Sequence, residues 1–212
     1  MLMVSAEQIQ VVSFEKLEKG KRRIRFENGE SCILYFSEIR GLHLDVGTYI
    51  SHEIYEKIFC EIIGKRAKKR ALHLLEQMDR TEQQLREKLM ASEYPLRCVD
   101  DAIEYVKRFH YLDDERYART FTRYKKDKMS RQQIKLKLMS KGIARDVISN
   151  AIEDEYDTDE SVQIRCLLEK KHFSNENPDD KEFRRTYNYL LRRGFRSNDI
   201  LKEMKQTGTD WY

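Results

Sequence analysis

The residues of this chain best equipped for chemistry are its cations, which come in runs. The stretch "GKRAKKR" sets Lys65, Arg66, Lys68, Lys69 and Arg70 along a turn and a half of helix, leaving Ala67, Ala71, Leu74 and Met78 to face inward. The stretch "RYKKDKMSR" supplies Arg123, Lys125, Lys126, Lys128 and Arg131, and the residues after it add Lys135, Lys137 and Lys141. Any one charge run is usually a solvated face, but two runs read as occupying equivalent positions of neighbouring repeats favour binding. Lysine is a flexible point charge that suits phosphates or acidic patches rather than base edges. The expected behaviour is salt-dependent, sequence-neutral contact with single- or double-stranded DNA.

The acids offer less. Asp113, Asp114 and Glu115 are adjacent in "YLDDERYART". Neighbouring carboxylates on a helix point different ways, so chelation needs partners from elsewhere. In a first turn they complement the helix dipole, with Asp113 or Asp114 as the cap. Tyr111 and Leu112 then staple the start of that helix, while Tyr117, Phe121 and Tyr124 follow the helical period and belong to its core face. His73 and His110 have no evident ligand-like partner. The chain has no glycine-rich phosphate loop and no nucleophile elbow, so no catalytic residue, metal or cofactor is assigned.

Charge distribution agrees with a binder. The formal net charge is +4 over 212 residues. Residues 1–60 hold 8 Lys/Arg against 9 Asp/Glu, residues 61–150 hold 22 against 14, and residues 151–212 hold 11 against 14. The middle is basic and the ends are not, which favours a polyanion or an acidic protein surface as partner. Cys32, Cys60, Cys98 and Cys166 form no CxxC pair and read as reduced, mostly packed thiols of a cytoplasmic protein. No apolar run spans a membrane, and the first residues lack a signal-peptide pattern.

Two kinds of element must position these groups. Residues 1–60 are β-prone: "RRIRFENGESCILYF" reads as a hairpin closed by a two-residue turn at Asn28-Gly29, with Ile24 and Phe26 facing Ile33 and Tyr35 or their neighbours. A short helix opened by Ser37 follows, and Ser51 caps the next. Beyond Glu61 nearly everything to residue 206 reads as helix with short connections. A repeat is legible there. Thr81 aligns with Ser130 at an offset of 49, bringing Gln84 onto Gln133, Leu85 onto Ile134, Leu89 onto Leu138 and Val99 onto Ile148. Both Thr81…Gln84 and Ser130…Gln133 fit a capping box. The preceding helices match too, Leu72 and Leu75 falling on Phe121 and Tyr124.

A third copy is legible at an offset of 52, where Leu190 meets Leu138, Gly194 meets Gly142, Phe195 meets Ile143 and Ile200 meets Ile148. Gly142 and Gly194 suit left-handed helix ends. The first copy has Glu93 there, so its loop is expected to differ. Asp179…Glu182 caps the third copy's helix a turn earlier and lengthens it, and Pro178 lies in a loop. The acidic run "EDEYDTDE", with six acids in eight residues, reads as a mobile joint or an exposed helix end. The expected architecture is mainly α: a β-hairpin/helix region at 1–60, then three-helix repeats at 61–109, 110–156 and 157–212, sharing one continuous apolar interior.

The segments "ALHLLEQMDRTEQQLREKL" (71–89), "YLDDERYARTFTRYK" (111–125) and "IKLKLMSKGI" (134–143) together resemble the RecX family of bacterial recombinase modulators, over about residues 55–205. A Gly-Pro pair commonly precedes the second capped helix in that family; here Met129-Ser130-Arg131 stands instead, and the serine is able to cap. The resemblance implies a non-enzymatic regulatory protein of DNA repair, recombination and the SOS response. Its three-helix repeats would form an elongated curved row in the groove of the RecA–DNA filament, bridge neighbouring subunits and restrain ATP hydrolysis and strand exchange. Arg80, Arg116, Arg123, Lys137 and Lys141 are the matching positions favoured for contact, and a monomer is expected. A helix-turn-helix transcription regulator is the alternative reading, although the exposed helix starts are rich in lysine rather than in base-reading side chains. A nuclease built on Asp113, Asp114 and Glu115, or a purely structural scaffold, are further alternatives.

Overall fold

The computed structural model describes residues 8–174 and 179–206, so Pro178 lies outside the described residues. The chain divides into two compact units, one ending at Asp113 and the other beginning at Asp114.

The first unit opens with a four-stranded antiparallel sheet in the order β3-β2-β1-β4, built from β1 (Gln8–Lys16), β2 (Lys21–Phe26), β3 (Ser31–Tyr35) and β4 (Tyr49–Ser51). Alternation decides its faces: Ile24 and Phe26 of β2 and Cys32 and Leu34 of β3 are buried. The hairpin at Asn28-Gly29 exists, but its loop has three residues. Phe26 N–H donates to Glu30 O at 2.9 Å, and Gly29 N–H closes a turn on Phe26 O at 3.0 Å with Gly29 at φ +83°. The extra left-handed residue pairs Ile24 with Cys32 and Arg23 with Ile33. The next helix, α1 (Phe36–Gly41), starts one residue earlier than Ser37 because Glu38 accepts Tyr35 N–H at 2.8 Å.

Ser51 does cap α2 (His52–Glu56), its hydroxyl accepting Ile54 N–H at 3.3 Å. The helical run then continues through a π-helical stretch, Lys57–Gly64, into α3 (Lys65–Gln77). The reason lies in the spacing of buried residues. Tyr55, Phe59, Ile63, Ala67 and Ala71 recur every four positions, wider than the α-helical period. The wider π turns keep that stripe facing inward. With α4 (Glu82–Met90) and α5 (Leu96–Arg108), α3 completes the first triplet, which shares one apolar cluster with the sheet, from Val11, Ile24 and Leu34 to Leu85, Leu89 and Ile103.

The second unit comprises α6 (Asp114–Lys125), α7 (Arg131–Met139), α8 (Arg145–Glu155), α9 (Glu160–Lys170), α10 (Asp180–Arg192) and α11 (Ser197–Gln206). It holds two apolar clusters, one around Ile134, Leu138 and Ile148, the other around Ile164, Leu190 and Ile200. The expectation of one continuous apolar interior is therefore corrected. Polar groups form the seam between the second and third triplets: Ser130 Oγ donates to Arg193 O at 2.6 Å, and Gln163 Nε2 donates to Tyr156 Oη at 3.0 Å.

The repeat itself is present in detail. Helices α4 and α7 have nine residues each, start after buried Thr81 and Ser130, and receive their caps at 3.3 Å from Gln84 N–H and 3.2 Å from Gln133 N–H. The Gln84 side chain completes the box on Thr81 N–H at 3.3 Å. Ser130 supplies the hydroxyl half of its box and spends its proton on Arg193 O. Helix α10 has thirteen residues and is capped by Asp179, as the earlier acid predicts.

The expected difference in the first copy's loop is not found. Glu93 adopts φ +61°, beside +82° at Gly142 and +79° at Gly194. The same six-residue closing bond follows each, Tyr94 N–H to Leu89 O, Ile143 N–H to Leu138 O and Phe195 N–H to Leu190 O. Glu93 reaches Arg23 of β2 from this position, so the sheet supplies a contact that accompanies the strained backbone.

Three apolar expectations fail for local reasons. Met78 is 57% exposed because the chain leaves α3 there in an extended conformation. Tyr124 is 76% exposed at the end of α6, while Tyr117 and Phe121 pack on the second cluster. Tyr111 is 54% exposed although its neighbour Leu112 is buried. Cys32 and Cys98 are buried, with burial pushing both thiols up to about 12, whereas Cys60 and Cys166 are exposed.

Candidate nucleic-acid interface

Helix α3 divides its five cations by direction. Ala67, Ala71 and Leu74 take the inner face. Arg66, flanking it, donates to both Glu38 carboxylate oxygens at 2.6 and 2.8 Å and to Ile33 O at 3.0 Å, with its guanidinium 4.8 Å from the Tyr35 ring centre. Lys68 pairs with Asp101 of α5 at 2.8 Å. These two tie the helix to the sheet and to α5. Lys65, Lys69 and Arg70 are exposed. Arg80 donates Nε to Leu74 O at 3.2 Å, satisfying a carbonyl near the end of α3, and so serves the fold.

The second cluster divides in the same way. Arg123 donates to both oxygens of Glu155 at 2.7 and 2.8 Å, and Lys126 pairs with Asp157 at 2.6 Å. Arg131 N–H donates to Glu160 at 2.7 Å, while its guanidinium donates to Tyr156 O at 2.9 Å and lies 4.4 Å from that ring centre. The Arg123 hydrogen bonds hold the Glu155 carboxyl below its usual range, and the Lys126 bond does the same for Asp157. Arg119 adds a pair with Asp154 at 3.0 Å.

The acidic run begins as the exposed end of α8, where Glu153 and Asp154 face solvent, and is not a free joint. It folds back on the basic residues of its own unit, anchored by buried Tyr156, whose hydroxyl donates to Met129 O at 3.0 Å. Desolvation pushes that hydroxyl up to about 12. Lys128, Lys135 and Lys137 are exposed, Lys125 is half-buried, Arg116 is exposed, and Lys141 sits 5.7 Å from the Tyr117 ring centre.

The two clusters do not occupy equivalent places. At the offset of 49, Lys65–Arg70 correspond to Asp114–Arg119 in the first half of α6. The second cluster lies at the end of α6 and beyond, so the equivalence argument fails and each surface stands on its own charge.

Asp113 immediately precedes α6, and Asp114 and Glu115 lie in its first turn. Among the described residues no group of three or more His, Cys, Asp or Glu side chains is placed to hold a metal ion. No helix among them is long and apolar enough to cross a membrane.

Sequence reasoning misses two features. In the first unit a cleft of about 340 Å³ gathers Lys21, Tyr35, Arg66, Lys69, Arg70, His73 and Tyr94 from the sheet, α3 and the α4–α5 turn. No local signal announces it, because its walls are distant in sequence. In the third triplet, Arg184, Arg185, Arg192 and Arg196 are exposed. Their paired arginines are visible in the sequence but are masked by the acidic balance of residues 151–212.

Sheet, caps and triplets together define a tandem three-helix-domain protein that carries exposed cations on α3, on α7 and on the third triplet. Comparison with known proteins narrows the class. Family models describing the first, second and third three-helix domains of RecX match residues 67–105, 113–152 and 159–202. The chain belongs to the RecX family of regulatory proteins. A "Regulatory protein RecX" of Caldanaerobacter subterraneus subsp. tengcongensis is 29% identical over 195 residues, spanning 91% of this chain and 96% of the relative. That of Clostridium beijerinckii is 26% identical over 208 residues, spanning 94% and 98%. Among solved structures, a RecX crystal structure shares the fold with a TM-score of 0.60 at 20% identity, covering 92% of this chain and 99% of the other. RecX from Lactobacillus salivarius does so at 0.57 and 19% identity, covering 68% and 96%.

Proposed function

We propose that this protein regulates a RecA-type recombinase by docking on its DNA filament and restraining ATP hydrolysis and strand exchange. It would act as a cytoplasmic monomer in DNA recombination and repair. The observation that carries the reading is the tandem of three RecX domains across the chain. The repeats taken as 61–109, 110–156 and 157–212 are the docking modules. Several weak contacts in one chain gain from effective concentration when the partner is a polymer of identical subunits. The outward cations Lys65, Lys69, Arg70, Lys128, Lys135 and Lys137 provide sequence-neutral contacts to phosphate or to filament acids.

The test is ATP hydrolysis by a RecA-type recombinase on single-stranded DNA with increasing amounts of the protein. The rate is expected to fall, and to recover when Lys65, Lys69 and Arg70 are replaced by glutamate with helicity unchanged. A rate indifferent to excess protein overturns the reading.

A further inference from the structure

We infer that the cleft between the sheet and α3 holds one unstacked nucleotide of a single-stranded nucleic acid. The inference deepens the proposed DNA contact and rests on that part of the reading, not on regulation of the recombinase.

The cleft's volume of about 340 Å³ is at the small end of the range for sites that enclose a compact ligand. Its charge is one-sided. Lys21, Arg66, Lys69 and Arg70 line it against the single acid Glu93. Glu93 is paired with Arg23 and Arg66 with Glu38, and the Lys21 ammonium lies 5.5 Å from the Tyr35 ring centre, so Lys69 and Arg70 are the surplus cations. Lys69 and Arg70 are exposed, and their adjacent positions on α3 set two donors at the rim, where a phosphate keeps part of its hydration.

The walls supply the second requirement. Tyr35 and Tyr94 line the cleft, with Ile33, Ile63 and Pro95 as apolar floor. Tyr35 keeps 39% of its surface exposed although Arg66 and Lys21 both lie over its ring, so the ring left for stacking is chiefly that of Tyr94. Tyr94 is half-buried, and desolvation raises its hydroxyl's pKa, keeping the phenol neutral. Aromatic surface beside cations is the pairing that binds unpaired strands, because every base has a face to stack while the cations follow its backbone. A duplex has its base faces covered by neighbours and gains only the rim cations.

The test uses the full chain and a labelled oligothymidylate of about ten nucleotides, within the range one such groove covers. Binding is read by fluorescence anisotropy, with a duplex of equal length measured in parallel. Tyr94→Leu is expected to weaken single-strand binding by roughly 5- to 150-fold, the worth of one stacked base, and to leave duplex binding unchanged. Tyr94→Phe, which keeps the ring, is expected to bind like the parent. Ultraviolet crosslinking of the parent protein to the oligonucleotide, followed by peptide mapping, is expected to label the peptide carrying Tyr94 or Tyr35, and needs no variant to fold.

Crosslinks confined to the second unit overturn the inference. So does an equal loss of single-strand and duplex binding in Tyr94→Leu, or single-strand binding unchanged in that variant, which marks a phosphate site alone. A parent protein that ignores the oligonucleotide yet still lowers recombinase ATP hydrolysis overturns this site and leaves the proposed regulation standing.

Discussion

Gly194→Ala probes the polar seam between the second and third triplets. Gly194 has φ +79°, and an added Cβ would stand 2.9 Å from both Gln132 Cβ and Ser130 Oγ, and 3.2 Å from Gln132 Cγ. The left-handed backbone alone costs an alanine about 1–2 kcal/mol. The clash adds to this because Ser130 Oγ is already engaged twice, capping α7 through Gln133 N–H at 3.2 Å and donating to Arg193 O at 2.6 Å. Displacing it weakens a cap worth about 1 kcal/mol and a hydrogen bond worth about 1 kcal/mol. The expected loss is about 3–4 kcal/mol, with Gly29→Ala as the control. Gly29 has φ +83° and nothing within 4 Å of the added carbon, so only the backbone cost of about 1–2 kcal/mol applies.

Urea denaturation followed by circular dichroism gives both values. Hydrogen exchange at the Leu138 and Leu190 amides assigns the loss to the second unit. Ser130→Ala removes the group that Gly194→Ala displaces, so the double variant should lose less than the sum of the two single losses. A Gly194→Ala loss no larger than that of Gly29→Ala, or full additivity with Ser130→Ala, refutes the reasoning.

Further outcomes are expected. Leu85→Ala and Leu138→Ala, both at fully buried positions, should each cost about 2–5 kcal/mol in urea melts; a loss near zero would remove that residue from the core. Glu93→Gly should relieve about 1 kcal/mol of backbone strain at φ +61°, and its melting temperature should exceed that of Glu93→Ala, which loses the Arg23 pair without relieving strain. Hydrogen bonds from Arg97 hold Glu56 below its usual 4.5, as Arg123 does for Glu155. Their folded pKa values are depressed, so this stability is present above pH 4.5 and disappears as the pH falls through the folded values. Acid titration of Arg123→Gln should show a shallower loss than the parent protein; an unchanged slope would count against the pair.

Much of the fold was legible because helix caps and apolar periodicity are local. Thr81 and Ser130 are caps in the structure as their spacing from Gln84 and Gln133 predicts, and the buried pairs Leu85/Leu89 and Ile134/Leu138 follow the same register. The hairpin was legible as a hairpin, but its loop length was not. Asn-Gly serves two-residue and three-residue turns, and the choice depends on which strand residues reach the core. Glu93 shows a similar limit: composition argued for a different loop, yet the common six-residue closure and the sheet's Arg23 accompany a left-handed glutamate.

The candidate interface was legible only as a supply of charge. Lys65 and Arg66 are neighbours in the chain, yet one is exposed and the other is bound to Glu38 and Ile33. The acids that engage Arg123, Lys126 and Arg131 lie about one helix pair later in sequence, and only folding brings them within reach.

By itself, then, the sequence determined most of the helices, the capped starts at Ser51, Thr81, Ser130 and Asp179, the threefold repeat and the predominance of positive charge in the middle of the chain. These depend on interactions between residues a few positions apart, which a linear text preserves. Tertiary structure alone decided which cations were spent within the fold, where the apolar clusters separate, and that Tyr35, Lys69 and Tyr94 share one cleft. Those outcomes depend on distances between residues remote in the chain, where a shift of one residue in a strand or one turn in a helix changes every partner.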